Sequence, residues 1–170
     1  MSAARWNRKL HRVGAMLIAL PLLVVIGTGM LLLLKKDIGW IHPPTRRGAT
    51  TELEVSFEEI LAAARSVPEA GIQSWDDVDR LDVRPGKGIV KVRGVNRWEV
   101  QVDASSGQVV QTAYRRSDLI ESLHDGSWFH ERAKLALFLP MALILLGLWC
   151  TGIYLFFLPH LVRRRRKVQA

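Results

Sequence analysis

Two runs without a single charged side chain sit near opposite ends of this chain: Val13–Leu34, 22 residues, and Leu135–Leu158, 24 residues. As helices rising about 1.5 Å per residue, each is long enough to cross a hydrocarbon layer of about 30 Å. In such a layer only a helix or a closed barrel satisfies every backbone N–H and C=O. The runs therefore set the frame: a two-span hairpin that keeps its middle 100 residues, 35–134, outside the lipid. The chain divides into a tail (1–12), a first span (13–34), a central domain (35–134), a second span (135–158) and a second tail (159–170). A central domain of this length buries one modest core and leaves little for a deep cleft.

The formal net charge of +8 would suit a nucleic-acid binder, but its distribution excludes that reading. Arg5, Arg8, Lys9 and Arg12 occupy the first tail, and Arg163, Arg164, Arg165, Arg166 and Lys167 the second, with no acidic residue in either. The other 15 basic residues and all 16 acidic ones lie in 35–134, which is nearly neutral. Basic tails beside spans are retained in the cytoplasm, which puts both termini inside and the central domain outside, in a bacterial periplasm. Lys35, Lys36, Arg46, Arg47, Arg132 and Lys134 also flank the spans on the outer side, but long loops translocate with little regard to charge. The first run exceeds an ordinary signal-peptide core and is followed by Lys35-Lys36-Asp37, so it reads as an uncleaved anchor. The lone cysteine, Cys150, excludes an internal disulfide and reads as a small packing residue in the second span.

Trp40, Trp128 and Phe129 stand just outside the spans, at the depth aromatic rings favour. Pro21 and Pro140 are expected to kink the spans, and Gly27, Gly29, Gly147 and Gly152 to let helices approach closely. Within the central domain, Ser56–Ser66 reads as a helix. Ser56 and Glu59 have capping-box spacing, and Phe57, Ile60, Leu61 and Ala64 form one apolar stripe. A meander follows. Val78–Val83 is a strand, Pro85-Gly86-Lys87-Gly88 a turn, and Ile89–Gly94 a second strand. Trp98, Val100 and Val102 alternate with Glu99, Gln101 and Asp103 in a third strand, and Val109–Tyr114 is a fourth. Asp118–Leu123 reads as a short helix ended by Gly126.

Several segments carry a family resemblance: Arg8-Lys9-Leu10-His11-Arg12 at the first span and Trp40-Ile41-His42-Pro43-Pro44 after it, then Trp75-Asp76-Asp77-Val78-Asp79-Arg80-Leu81-Asp82-Val83-Arg84-Pro85-Gly86-Lys87-Gly88 and Trp98-Glu99-Val100-Gln101-Val102-Asp103. They continue in Ser117-Asp118-Leu119-Ile120-Glu121-Ser122-Leu123-His124-Asp125-Gly126-Ser127-Trp128-Phe129 and from Phe138-Leu139-Pro140 to Thr151-Gly152. The chain resembles the bacterial PepSY-associated transmembrane family over nearly its whole length. The resemblance implies an α+β PepSY-like periplasmic domain, a helix plus an antiparallel sheet, flanked by two transmembrane α-helices in the inner membrane. Some PepSY modules resemble peptidase-propeptide inhibitors. Larger multi-span relatives look like haem-containing ferric-siderophore reductases, and some small two-span relatives are implicated in ferric iron reduction.

The candidates for chemistry are the five histidines, none of which lies within an apolar run. His11 and His160 flank the spans on the inner side; His42, His124 and His130 lie on the outer side. Imidazole is a common axial ligand of haem iron. The candidate ligands of a b-type haem are His11, His124, His130 and His160, with His11 and His124 foremost because the resemblance falls on their motifs. Covalent c-type attachment is excluded, because no Cys-x-x-Cys-His stands in the chain. Each histidine also has a structural reading: His11 in the basic anchor, His42 in a turn, His124 hydrogen-bonded at the junction of domain and membrane. Asp76, Asp77, Asp79 and Asp82 read as a salt-bridged strand edge neutralised by Arg80 and Arg84. No hydrolase or nucleotide-binding motif is present.

Three functions fit. One is a homodimeric redox accessory that uses haem to help reduce ferric iron, and hence a haem-dependent ferric reductase. The second is a membrane-anchored binding module for a peptide, protease or periplasmic partner, and the third an accessory subunit packed into a larger membrane complex through Gly27, Gly29 and Gly147.

Overall fold

The computed structural model of the protein describes residues 3–130 and 132–168, with side chains for 5–130 and 132–159. The chain forms two compact units, one of Met1–Met30 with Ser122–Ala170 and one of Leu31–Glu121.

The first unit is a helical hairpin. Helix α1 (Ala3–Leu33) begins ten residues before the apolar run, so the basic tail continues the same helix. Helix α4 (Leu139–Val168) runs past Leu158 in the same way. The stretches Arg5–Leu33 and Lys134–Pro159 are long and apolar enough to cross a membrane. The two helices pack antiparallel. A Cβ on Gly14 would lie 3.2 Å from Leu148 and 3.6 Å from Ile144. Further along, Ile18, Pro21 and Val25 face Phe138, Met141 and Leu145 around an apolar cavity of about 140 Å³. Most other span side chains point outward, as lipid-facing residues must. Cys150 is exposed among them rather than packed between helices.

The prolines act differently from one another. Pro21 stands inside α1, which continues without interruption to Leu33. Pro140 is the second residue of α4 and follows a π turn, Lys134–Phe138, in which the Leu139 N–H donates to the Lys134 carbonyl. A helical proline clashes with the carbonyl four residues back and has no N–H to give it; a widened turn relieves both.

The second unit is an α+β module. Helix α2 (Phe57–Arg65) starts with the expected reciprocal capping box between Ser56 and Glu59. Strands β1 (Val78–Arg84), β2 (Ile89–Gly94), β3 (Trp98–Asp103) and β4 (Val109–Tyr114) form one antiparallel sheet in sequence order. Helix α3 (Arg116–Asp125) follows β4 directly and stops at Gly126, whose φ of 80° supplies the left-handed C′ position. Single 3-10 turns at Pro68–Ala70 and Trp75–Asp77 join α2 to the sheet; neither is visible as periodicity. The core lies between α2 and one face of the sheet, where Ile60, Leu61 and Ala64 meet Val90, Val92, Val100 and Val102.

The other sheet face departs from the alternation rule. Polar residues that alternate with a buried row are expected in water. Here Lys91, Glu99, Gln101 and Asp103 are at most 5% exposed. The extended segment Ile41–Ala49 crosses above them. Pro43 and Pro44 keep it out of regular structure, so its backbone takes side-chain partners instead. Gln101 accepts from the Arg46 N–H at 2.9 Å and donates to the Pro44 carbonyl at 3.0 Å. Asp103 accepts from the Ala49 N–H at 2.6 Å, which, with Ser105, holds its carboxyl well below the ordinary range.

Candidate functional site

Three histidines share one local arrangement. In each, the Nδ1 atom meets a hydroxyl that also lies within hydrogen-bond reach of a second acceptor. His11 Nδ1 lies 2.9 Å from Thr151 Oγ1, and that hydroxyl donates to the Leu148 carbonyl at 3.0 Å. His124 Nδ1 lies 3.0 Å from Thr28 Oγ1 and 3.1 Å from the Val25 carbonyl, and Thr28 donates to the Val24 carbonyl at 2.6 Å. His42 Nδ1 lies 2.9 Å from Ser117 Oγ, which donates to Asp118 at 3.3 Å. A carbonyl cannot donate, and a hydroxyl has one proton. At His124 the Val25 carbonyl therefore assigns the ring proton to Nδ1 and leaves Nε2 its lone pair. At His11 and His42 the only Nδ1 partner is a hydroxyl, which donates or accepts according to the tautomer. Metal-ligating imidazoles are oriented in the same manner by a bond at the opposite nitrogen.

The helical hairpin holds two of these histidines through its Thr-Gly pairs. Thr28-Gly29 on α1 receives His124, and Thr151-Gly152 on α4 receives His11. At Gly29 the absence of a side chain makes room for the ring, whereas at Gly152 an added Cβ would make only ordinary contact. A Cβ on Gly29 would stand 3.3 Å from His124 Cε1, and one on Gly152 would stand 3.6 Å from His11 Cε1. The Thr-Gly pairs are legible in the sequence as helix-packing features; what they pack against is not, because the partners lie 96 and 140 residues away. His11 also borders an open apolar groove of about 220 Å³ with Gly14, Gly147 and Leu148.

The remaining expected ligands stand apart from this pattern. His130 is exposed and accepts the Arg132 N–H at Nδ1 over 3.1 Å, so a neutral His130 carries its proton on Nε2. The His160 side chain lies outside the described residues. Among the described residues, no group of three or more His, Cys, Asp or Glu side chains is arranged to hold a metal ion.

The second unit holds a buried ionic network that the alternating strand pattern conceals. Glu99 accepts from Lys91 at 3.1 Å, from Gln101 at 2.8 Å and from Arg115. Arg115 also grips Asp118 with two bonds, at 2.9 and 3.1 Å. Burial works against the Arg115 charge, but Asp118 and Glu99 outweigh it and hold its pKa above the ordinary value. Asp118 is held low despite burial, because Arg115 and Arg93 face it. Burial first, and then the Arg115 charge, hold His42 below its usual 6.5. The acidic run is used as expected, in part: Asp82 pairs with Arg84 at 2.7 Å, while Asp79 pairs with Arg93 rather than Arg80, and Asp77 caps its own turn.

The PepSY-associated TM region matches residues 8–169, from within the first basic tail to the end of the second. This chain belongs to that family. It is a membrane PepSY protein whose α+β module is carried between two membrane-spanning helices. No curated protein sequence and no solved structure matches it. Both His–Thr pairs and the ionic network fall inside the residues the PepSY family covers.

Proposed function

We propose that this PepSY membrane protein is a redox accessory that holds b-type haem at the two ends of its helical hairpin and assists ferric iron reduction. The observation that carries the reading is the common Nδ1–threonine contact of His11 and His124. Each is oriented from behind, through Nδ1, by a threonine hydroxyl, which leaves Nε2 as the nitrogen that would face a ligand. Haem supplies one-electron chemistry when bound. The residues fit such a group as donors. His11 and His124 would each hold the group through one imidazole nitrogen, and the hairpin around them is apolar, which favours retention of a porphyrin.

The same geometry argues for a homodimer. His11 and Thr28 are separated by about 25 Å along α1, from the rise per residue of a helix. One haem therefore cannot take both histidines of one chain. The groove beside His11 is smaller than the pockets of about 300 Å³ and more that enclose drug-sized ligands. A second copy supplies the missing ligand and wall. A Cβ added at Gly27 or Gly147 would meet nothing within 4 Å, so both glycines offer surface for close approach. The basic tails support an orientation with both termini in the bacterial cytoplasm and the PepSY module in the periplasm.

Haem titration of the purified apo-protein tests this reading. His11→Ala and His124→Ala are each expected to lower the bound haem, and the double variant to abolish it. Ferric citrate added to the reduced protein is expected to discharge the reduced-state band. Haem uptake that is unaffected by either histidine contradicts the ligand assignment, and a band stable to ferric citrate contradicts the iron reading.

A second reading is favoured by strand β4. Its sequence, Val-Val-Gln-Thr-Ala-Tyr, carries no charge, and it forms one edge of the sheet. Uncharged edges accept an added strand, so β4 is the surface on which a peptide or partner subunit would dock. Crosslinking at Val110, which is exposed, would capture such a partner in cells; an uncrosslinked Val110 would count against it.

A further inference from the structure

A cavity of about 760 Å³ in the second unit opens above the polar face of the sheet. Seven of its fourteen lining residues are Lys or Arg, and two are Asp or Glu. The network described above consumes only part of that charge. Lys91, Arg93 and Arg115 share Glu99, Asp79 and Asp118, and Arg84 takes Asp82. Three cations are left over, Lys36, Arg80 and Lys87, and none has an ion-pair partner among the described residues.

We propose that this basin binds a small multivalent oxyanion, a polyphosphate or polycarboxylate, on Lys36, Arg80 and Lys87. The reasoning is electrostatic. Glu99 neutralises the floor of the cavity from beneath, while its rim keeps an uncompensated charge of three. A concave site lined by one sign of charge focuses its field and raises the local concentration of the opposite ion. Arginine and lysine are the usual oxyanion partners, arginine through its fork and lysine as a point charge. Several charges on one anion are needed to match three cations that stand on three separate segments. The volume falls within the range of about 300–1,000 Å³ typical of small-molecule sites. His42 lines the same cavity, and its pKa is lowered first by burial and then by Arg115, with Glu99 opposing and Lys91 and Lys35 adding to the shift. Lys36 follows the end of α1 by three residues, so the oxyanion is either free in solution or the phosphate of an anionic lipid headgroup.

Calorimetric titration of the full-length protein in zwitterionic detergent with pyrophosphate, citrate and acetate tests the site. Pyrophosphate and citrate are expected to bind, and acetate to bind at least about tenfold more weakly, as opposed charges at close range require. Arg80→Gln with Lys87→Gln, and separately Lys36→Gln, are expected to weaken pyrophosphate at least about tenfold, with the effect shrinking as salt rises. The same titration in nanodiscs separates the sources. Competition by phosphatidylglycerol identifies a headgroup as the occupant, and its absence identifies a soluble anion; both retain the site. No binding of either multivalent anion, or variants that bind as the parent does, overturns it. His11→Ala with His124→Ala is expected to leave pyrophosphate affinity unchanged, which keeps this result independent of haem.

Discussion

At the scale of single residues, the protein uses hydroxyl groups to fix imidazoles. The Thr28 and Thr151 hydroxyls are positioning groups: they hold His124 and His11 and do not themselves ligate. Thr28→Val keeps the shape and removes the acceptor. It is expected to weaken haem retention about 10- to 100-fold, the usual effect of losing an orienting partner, and to shift the spectrum of the haem that remains. A merely structural threonine would lower yield and leave that spectrum alone. His42 carries the pH dependence. Its folded pKa is depressed below 6.5, so between the two values the unfolded chain binds more protons. Stability is therefore full above pH 6.5 and falls as the pH drops from 6.5 toward the folded pKa. His42→Gln is expected to flatten that part of a melting-temperature profile; a profile with the same slope would assign the loss to another group. Glu99 is the hub of the buried network, and Glu99→Gln leaves Lys91 and Arg115 with one negative charge fewer. A destabilisation of about 3 kcal/mol is expected, because breaking a buried pair strands its partner. Thermal unfolding monitored by circular dichroism measures it, and a change under about 1 kcal/mol would show that the network is wetter than its burial implies.

At the scale of elements, what was legible was whatever short-range chemistry decides. The Ser56–Glu59 box, the four strands and the Gly126 stop all rest on neighbours within a few residues and are formed. Of the apolar stripe of α2, Ile60, Leu61 and Ala64 enter the core, while Phe57 stays exposed, edge-on to Trp75. The buried polar face was not legible. Glu99, Gln101 and Asp103 look solvated in a period-two pattern, and only the crossing of Ile41–Ala49, more than 50 residues earlier, buries them. The spacing Arg115-x-x-Asp118 was the one local hint of that network. The Thr-Gly pairs were visible, and their histidine partners were hidden by the same long-range rule. Gly29 and Gly152 separate the two ends of the hairpin experimentally. At Gly29 an added Cβ is tighter than most real contacts, while at Gly152 it meets ordinary van der Waals distance. Gly29→Ala is expected to displace His124 and weaken haem binding, and Gly152→Ala to leave His11 nearly undisturbed. Equal effects of the two substitutions on haem titration would contradict the cradle geometry.

At the scale of the molecule, the two apolar runs do more than anchor. They carry the net positive charge into the tails, and they hold one oriented imidazole at each end of α1 and α4. The PepSY module contributes a separate basic basin and a charge-free strand edge. Membrane anchoring and family membership follow from length, composition and the match over residues 8–169. Function depends on whether the oriented histidines carry a metal group. The reduced-minus-oxidised absorption spectrum of the full-length protein, purified in detergent after haem-replete expression, decides that question. A sharp reduced-state band is expected in the parent, lost when His11 and His124 are both replaced by alanine. A parent protein with no Soret absorption would overturn the haem reading.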